Sequence, residues 1–480
     1  MKKTLFCLTA IASIIVSPVF AKPAVTTNPC IANIASHDMG AYLELSSCHL
    51  QDNDMHAVAA YLNDHRYLNE IWLNDNNIGV EGALVLSNVK QIARLYLRNN
   101  HIGDKGVSRL STSLYNLESL NVENNLITDS GLNVLAHDNH LKSLDIGRNP
   151  VTATGVEKVA KNSILESLDL RELKLTDATA KVLSRSTTLI SLNLNDNDID
   201  QEGVLALAHN SSIKNLWLDN NHIGNAVGEF SPNMTLEALS VRQNGISEIG
   251  ASHLGSNQHL VAIDISSNEI GDGGISMLAH NPKLEQLIAD DVGMTAKGAG
   301  FLAENKKIEF LVLSNNRIGD QGAKALATLP KLDLLIAENN QIGAAGATAL
   351  TKDGNLSYLL IGNNPIGDEG AAMLGKSTTI KFLGLQNSLI GDAGAAVLAK
   401  SSVLKAVDVQ YNHIGVKGLF DLSTNPHLKA YTKGQNEVFD IESITVSILD
   451  FRNIQKICAL KEATFCDELQ GKYVTRMKRV

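Results

Sequence analysis

Aromatic side chains are scarce. Phe, Trp and Tyr make up 4% of the 480 residues, while hydrophobic residues in total reach 44%. The core must therefore be assembled from Leu, Ile, Val and Ala rather than from large aromatic anchors. Cysteine is absent from residues 49 to 457. Positive charge is also in deficit, with 41 basic residues against 51 acidic ones. That balance argues against nucleic acid or an anionic membrane as the main partner. The short basic end Lys472–Arg479 is a local exception and reads as a solvated terminus. After the first 21 residues no stretch is long and apolar enough for a transmembrane helix, so no membrane insertion is expected. GxSxG, HExxH, P-loop and dinucleotide fingerprints in a suitable context are missing too. No catalytic residue, metal ligand or cofactor is assigned, and the chain is expected not to be an enzyme.

The N-terminus, MKKTLFCLTAIASIIVSPVFA, places two lysines before an apolar run that ends in Val19-Phe20-Ala21. This is the pattern of a secretory signal, cleaved after Ala21. The chain is expected to be exported, to the periplasm or the medium. Four cysteines would survive cleavage: Cys30, Cys48, Cys458 and Cys466. Their placement at the two ends of an exported chain suggests two end staples.

A repeat dominates what remains. Aligning LxLxxNxIG brings Asn76, Asn100, Asn125, Asn149, Asn197, Asn221, Asn244, Asn268, Asn316, Asn340, Asn364, Asn412 and Asn436 to one position. Leu173, Val292 and Ser388 occupy it in three further units, and Cys48 in a divergent first one. Thirteen of the fifteen steps from 76 to 436 are 24 residues, and the others are 25 and 23. Each unit reads as strand, turn and helix. In one of them Leu311-Val312-Leu313 is the strand, Ser314-Asn315-Asn316 the turn, Ile318 a core plug and Asp320 a helix N-cap before Gly322–Ala327. The recurring Asn can donate and accept within the turn. Leu173 and Val292 cannot, so the ladder should break there, and Ser388 should serve only in part.

This pattern resembles the leucine-rich repeat family, and the IGD-x-GA-x-x-LA unit is similar to its ribonuclease-inhibitor-like and bacterial GALA subclasses. The resemblance implies an α/β solenoid, a horseshoe with a concave parallel sheet and short convex helices, used mostly as a binding scaffold. It covers residues 43–438, about 17 units, after the signal (1–21) and an N-terminal cap (22–42). Residues 439–480 are expected to form a C-terminal helical cap, with a partner-binding helix as the alternative, because Ile441, Ile444, Ile448, Phe451, Ile454 and Ile457 follow helical spacing. A Cys30–Cys48 bridge would pin the N-terminal cap. Cys458 and Cys466 would lie ~12 Å apart in one helix, so pairing them requires a turn between. Some bacterial relatives carry an N-terminal F-box or a large C-terminal ubiquitin-ligase domain. Neither fits in the roughly 20 residues before the first unit or the roughly 42 after the last.

The scattered polar groups form no reactive constellation. His101, His222 and His413 fall in non-adjacent repeats, too far apart for a metal site. His137, His209 and His280 follow helix ends and read as caps. Asp145 and Asp169 occupy equivalent positions on adjacent strands. They are expected to be solvated on a polar face rather than to form a catalytic pair.

The concave positions alternate with the inward leucines. There, Ile288, Phe310, Val312, Leu334, Ile336, Tyr358, Leu360 and Phe382 form a block across five adjacent repeats. Trp72, Tyr96 and Trp217 are isolated aromatics in an otherwise small, polar first half. The block is of the kind that marks an interaction site. A protein or peptide partner is the first expectation, a homodimer through the same patch the second, and cover by the C-terminal segment the third. The chain is thus expected to be an exported protein-binding scaffold. Two other readings are a secreted bacterial effector that serves host ubiquitin machinery as a substrate adaptor, with a virulence role, and a periplasmic structural or inhibitor protein.

Overall fold

The structure, a computed structural model, describes residues 28–352 and 354–432. The signal, the C-terminal helical cap and the Cys458–Cys466 pair lie outside the described residues. Seventeen strands, from Leu43–Glu44 to Lys429–Tyr431, form one parallel sheet. Each strand pairs with the next in sequence and in unbroken register, as in Leu335, Leu359 and Leu383. A short helix follows nearly every strand and packs on the opposite side of a continuous core.

Irregular spacings leave a visible trace. The 25-residue step after Asn100 contains an eleven-residue helix, Gly103–Ser113, where most others have seven or eight. The 23-residue step after Asn221 has lost a residue, and there the chain forms a tighter 3-10 helix, Gly224–Phe230.

The turns hold the stack together. In every described repeat the residue before the ladder position has a left-handed backbone, with φ 56° at Arg148, 58° at Asn315 and 58° at Tyr411. This conformation costs an L-residue ~1–2 kcal/mol, least for Asn and Asp. The ladder asparagines offset that strain. Asn316 Nδ2 donates to the carbonyls of Ala289 and Leu313 at 2.8 and 3.0 Å. Its Oδ1 accepts from the backbone N–H of Val292 and Met294 at 3.2 and 3.0 Å. One buried amide thus closes its own turn and fastens the turn before it. The ladder weakens where expected. Ahead of Leu173, the Val151 N–H bonds Asn149 O locally instead, at 2.8 Å. Ser388 Oγ reaches only Gln386 O, at 3.2 Å, and Ile366 N–H falls back on Asn364 O.

Asp320 does not cap its own helix, contrary to expectation. The helix Gly319–Leu326 starts ahead of it, because left-handed Gly319 (φ 52°) turns the chain early and places Asp320 within the first turn. Its Oδ1 accepts instead from Gly343 N–H and Gly346 N–H of the next repeat, at 2.7 and 2.9 Å. Asp52, Asp177, Asp272, Asp368 and Asp392 do the same. A third set of side chains ties the helix exits together, as when Asn305 Nδ2 donates to Ala279 O and Asn281 O. At these exits His137, His209 and His280 each set Nδ1 against a last-turn carbonyl, as their spacing suggested.

At the N-terminus, the helix Pro29–Ala32 and the turn Ile34–His37 precede the first strand. Cys30 and Cys48 form a disulfide there, as expected. Asn28 supports it by donating to Cys48 O at 2.8 Å and accepting from Cys30 N–H at 3.0 Å. His37 lies within 4.8 Å of both sulfurs, but these are bonded to each other. No described helix is long and apolar enough to cross a membrane.

Removing one ladder amide and adding another should move stability in opposite directions. Asn316→Ala strands two buried N–H groups and two carbonyls, and should cost ~2–4 kcal/mol in the urea-unfolding midpoint. Ser388→Asn restores the missing rung and should gain ~1 kcal/mol in the same measurement. A destabilised Ser388→Asn would show that the amide does not fit that turn.

Candidate binding face

The sheet's inner face carries two columns of side chains in strict register. One runs Gln286–Phe310–Leu334–Tyr358–Phe382–Ala406, the other Ile288–Val312–Ile336–Leu360–Gly384–Asp408. As the alternation requires, these side chains are separate from the solenoid core. Ile288, Phe310, Val312, Leu334, Ile336, Tyr358 and Phe382 make a second apolar cluster, with Leu360 and Ala406 against it. Tyr358 and Phe382 stack in parallel with centroids 4.8 Å apart. Leu360 spreads over Gly384, where a Cβ would meet its Cδ2 at 2.7 Å. Gln386 crosses above Gly362 to donate to Glu338, two repeats away, at 2.5 Å.

In one respect the expectation fails. The block is not open surface: its members are buried, and Leu360 alone is half-exposed. Mutual packing across in-register strands accounts for part of that burial, since neighbouring strands lie only ~4.8 Å apart.

The first half of the face is open. Trp72 and Tyr96 are not isolated, because their rings lie 4.8 Å apart and Tyr42 adds a third ring 5.4 Å from Trp72. Glu70 fixes the strip by accepting from Trp72 Nε1 at 2.8 Å and Arg94 Nε at 2.7 Å. All four strand residues are half-exposed. Trp217 is half-exposed on its own rung, between Asn193 and Ser240.

Between these zones the acidic residues are not solvated as expected. Arg171, itself buried, lies between Asp145 and Asp169, donating to Asp145 at 2.8 Å and to both oxygens of Asp169. Buried Glu123 sits 3.8 Å from the same guanidinium and 3.5 Å from Arg148. Asn121 and Asn193 donate to the two aspartates from either side. Burial raises all three carboxyls, Asp145 most clearly, where the Asp169 charge adds to it. Burial also works against the Arg171 charge, but Asp169 and Asp145 outweigh it and raise its pKa. The sequence held a sign of this. Arg171 stands two residues beyond Asp169, at the turn just past the strand's end, within reach of the same face. Further along, burial pushes Asp264 up to about 8, with Asp219 adding to the effect. Burial likewise lifts Asp290 up to about 7.

This geometry defines a one-dimensional repeat stack with a patterned inner face, and the chain is a leucine-rich repeat protein. A family model described as Leucine Rich repeat matches residues 94–111, 137–160, 185–208, 256–279, 304–327, 355–375 and 400–423. No curated protein matches the chain. Among solved structures, the TLR13–ssRNA13 complex is similar over 80% of this chain and 57% of its own, at 18% identity and a TM-score of 0.50. An internalin (inlF) from Listeria monocytogenes aligns over 73% of this chain and 89% of its own, with 24% identity and a TM-score of 0.44. The plant peptide hormone receptor RGFR1, solved with RGF2, aligns over 79% and 69%, with 15% identity and a TM-score of 0.41.

Two substitutions test these electrostatics. Arg171→Met leaves Glu123, Asp145 and Asp169 facing one another without their cation. It should destabilise by ~3–5 kcal/mol. The deficit in thermal unfolding should shrink as pH falls and the carboxyls take up protons. Asp264 binds its proton more tightly folded than unfolded, so its contribution is favourable in acid and is lost as pH rises toward about 8. Asp264→Asn keeps an oxygen for Ser266 and should flatten the decline of the urea midpoint across that window. An unchanged slope would place the titration elsewhere.

Proposed function

We propose that this is an exported, non-enzymatic scaffold that recognises a protein or peptide through its concave face. The observation that carries the reading is the exposed strip of Tyr42, Trp72 and Tyr96, held by Glu70 and Arg94 on a rigid sheet. Trp, Tyr and Arg are the side chains in which binding energy concentrates at protein interfaces. Prior fixing of their rotamers lowers the ordering cost of association. The acidic balance of the chain supports a protein rather than a nucleic acid as partner. Export is supported by the N-terminal pattern and by the N-terminal disulfide, which persists in oxidising compartments. The apolar block from Ile288 to Phe382 remains part of the same face, but it is closed in the free chain, so the first contact falls on the aromatic strip.

An affinity capture with the mature chain, followed by titration of the captured protein by biolayer interferometry, tests this. Trp72→Ala with Tyr96→Ala should weaken binding by at least ~30-fold, as hot-spot truncations of ~2 kcal/mol or more do. The circular dichroism spectrum should not change. Equal affinity of variant and parent would remove the aromatic strip from the interface.

A further inference from the structure

The N-terminal cap gathers three side chains that the concave face does not use. Among the described residues, Cys30, His37 and Cys48 are the one group of three whose donor atoms are close enough to share a metal ion. A ring nitrogen of His37 and the two sulfurs all lie within 4.8 Å of one another. Ligand atoms around one zinc ion stand ~3.5–3.8 Å apart, given Zn–S and Zn–N bonds of ~2.3 and ~2.0 Å. While Cys30 and Cys48 are bonded to each other they offer no thiolate, and no ion enters. The disulfide is not the sole tie between them. Asn28 accepts from Cys30 N–H at 3.0 Å and donates to Cys48 O at 2.8 Å. One side chain thus holds both cysteine backbones, whatever the oxidation state of the sulfurs. Ile31, next to Cys30, is buried in the core. His37 closes the turn Ile34–His37, and Asp38 after it pairs with Leu43 of the first strand. The His37 ring has no hydrogen-bond or ion-pair partner among the described residues, so its nitrogens are available.

We propose that the reduced cap is a zinc site, with Cys30 and Cys48 as thiolate ligands and His37 as the imidazole ligand. Two thiolates and one imidazole suit zinc, with water in the remaining open position. Thiolates select zinc over the hard cations calcium and magnesium. The two thiolate charges also cancel that of the ion, which matters because Cys48 is buried and a net charge there would be costly. Site and disulfide exclude each other, so the redox state of the two sulfurs decides which one pins the cap. The exchange balances in two steps. A dithiol reductant gives the disulfide two electrons and two protons and itself becomes a disulfide, which leaves two thiols. Zinc then displaces both thiol protons and takes the lone pair of His37. In reverse, a more oxidising disulfide accepts two electrons from the thiolates and two protons from solvent. The Cys30–Cys48 bond is remade and the ion leaves. In either state the exposed end of the repeat stack keeps a closed cap, which a solenoid requires. This does not depend on what binds the concave face.

The test uses the chain without residues 1–21 and with Cys458→Ser and Cys466→Ser, so that Cys30 and Cys48 are its only cysteines. The protein is reduced with a phosphine, freed of metal and titrated with cobalt(II), a spectroscopic stand-in for zinc. The expected result is a thiolate-to-cobalt charge-transfer band that saturates at one equivalent and is abolished by added zinc. The oxidised protein should show no such band. Zinc should raise the thermal unfolding midpoint of the reduced protein and leave that of the oxidised protein unchanged. His37→Ala should weaken zinc binding ~10-fold or more, at least as much as loss of an outer-shell partner does. Its circular dichroism spectrum should match the parent's, because His37 lies outside the core. Absence of the charge-transfer band in the reduced protein would overturn the proposal. So would equal zinc affinity in His37→Ala, or equal zinc binding by the oxidised protein.

Discussion

Most described repeats of this protein depend on one buried amide that serves two turns. The solenoid must reverse direction once per repeat in a space too tight for regular hydrogen bonding, and it does so through a left-handed residue such as Asn315 or Asn363. The turn would leave peptide groups unpaired inside the stack, at a cost comparable to a lost hydrogen bond for each. Asn316 and its equivalents remove that cost by bonding backward into the preceding repeat. Because the amide reaches back by one repeat, no repeat is complete without its successor. The cooperativity of the array follows from this, since each unit contributes its stability through its neighbours.

The convex side repeats the same logic with different chemistry. Asp320 and its equivalents bond the first N–H groups of the following helix, where the partial positive charge of the helix end favours a carboxylate. The asparagines at the helix exits, Asn257 and Asn305 among them, reach back to the previous repeat's carbonyls. The stack is thus fastened along three lines, at the turn, the helix start and the helix end. Close approach makes this possible. At Gly322 a side chain would press on Ile318 and on Ala299 of the preceding helix, at 2.8 and 3.1 Å.

Much of this was legible in the sequence because the period is regular. The strand register, the turn amides, the breaks at Leu173 and Ser388 and the N-terminal disulfide follow from counting residues and asking what each side chain can bond. The direction of the Asp320 bond was not legible. Within one repeat the motif reads as a local cap, and only the left-handed Gly319 shifts the aspartate past the helix start. The Arg171 network was half legible. Spacing put Asp145 beside Asp169, but the cation that joins them comes from a turn position where the repeat fixes no residue type, held elsewhere by Glu123, Gly147, Asn195 and Ser266. The burial of the block was not legible either. Alternation tells which way Tyr358 and Leu360 point but not what meets them there.

Register has a further consequence for what a face of this kind can carry. In a parallel stack, whatever stands at one position meets the residue at the same position ~4.8 Å away, so each column brings like against like. For charge this is self-limiting, because like charges directly opposite are destabilising. The acidic column obeys the limit. Asp145 and Asp169 are two rungs only, bounded by Asn121 and Asn193, and even two require Arg171 between them. Apolar columns have no such limit, and lateral contact between rungs favours their extension. That is why the block runs from Ile288 to Phe382 without interruption while the acidic pair stops at two. An extended apolar column in water must then be covered, since a patch of that size on a free surface promotes association. The register that builds the solenoid thus creates both the apolar face and the need for something to lie upon it.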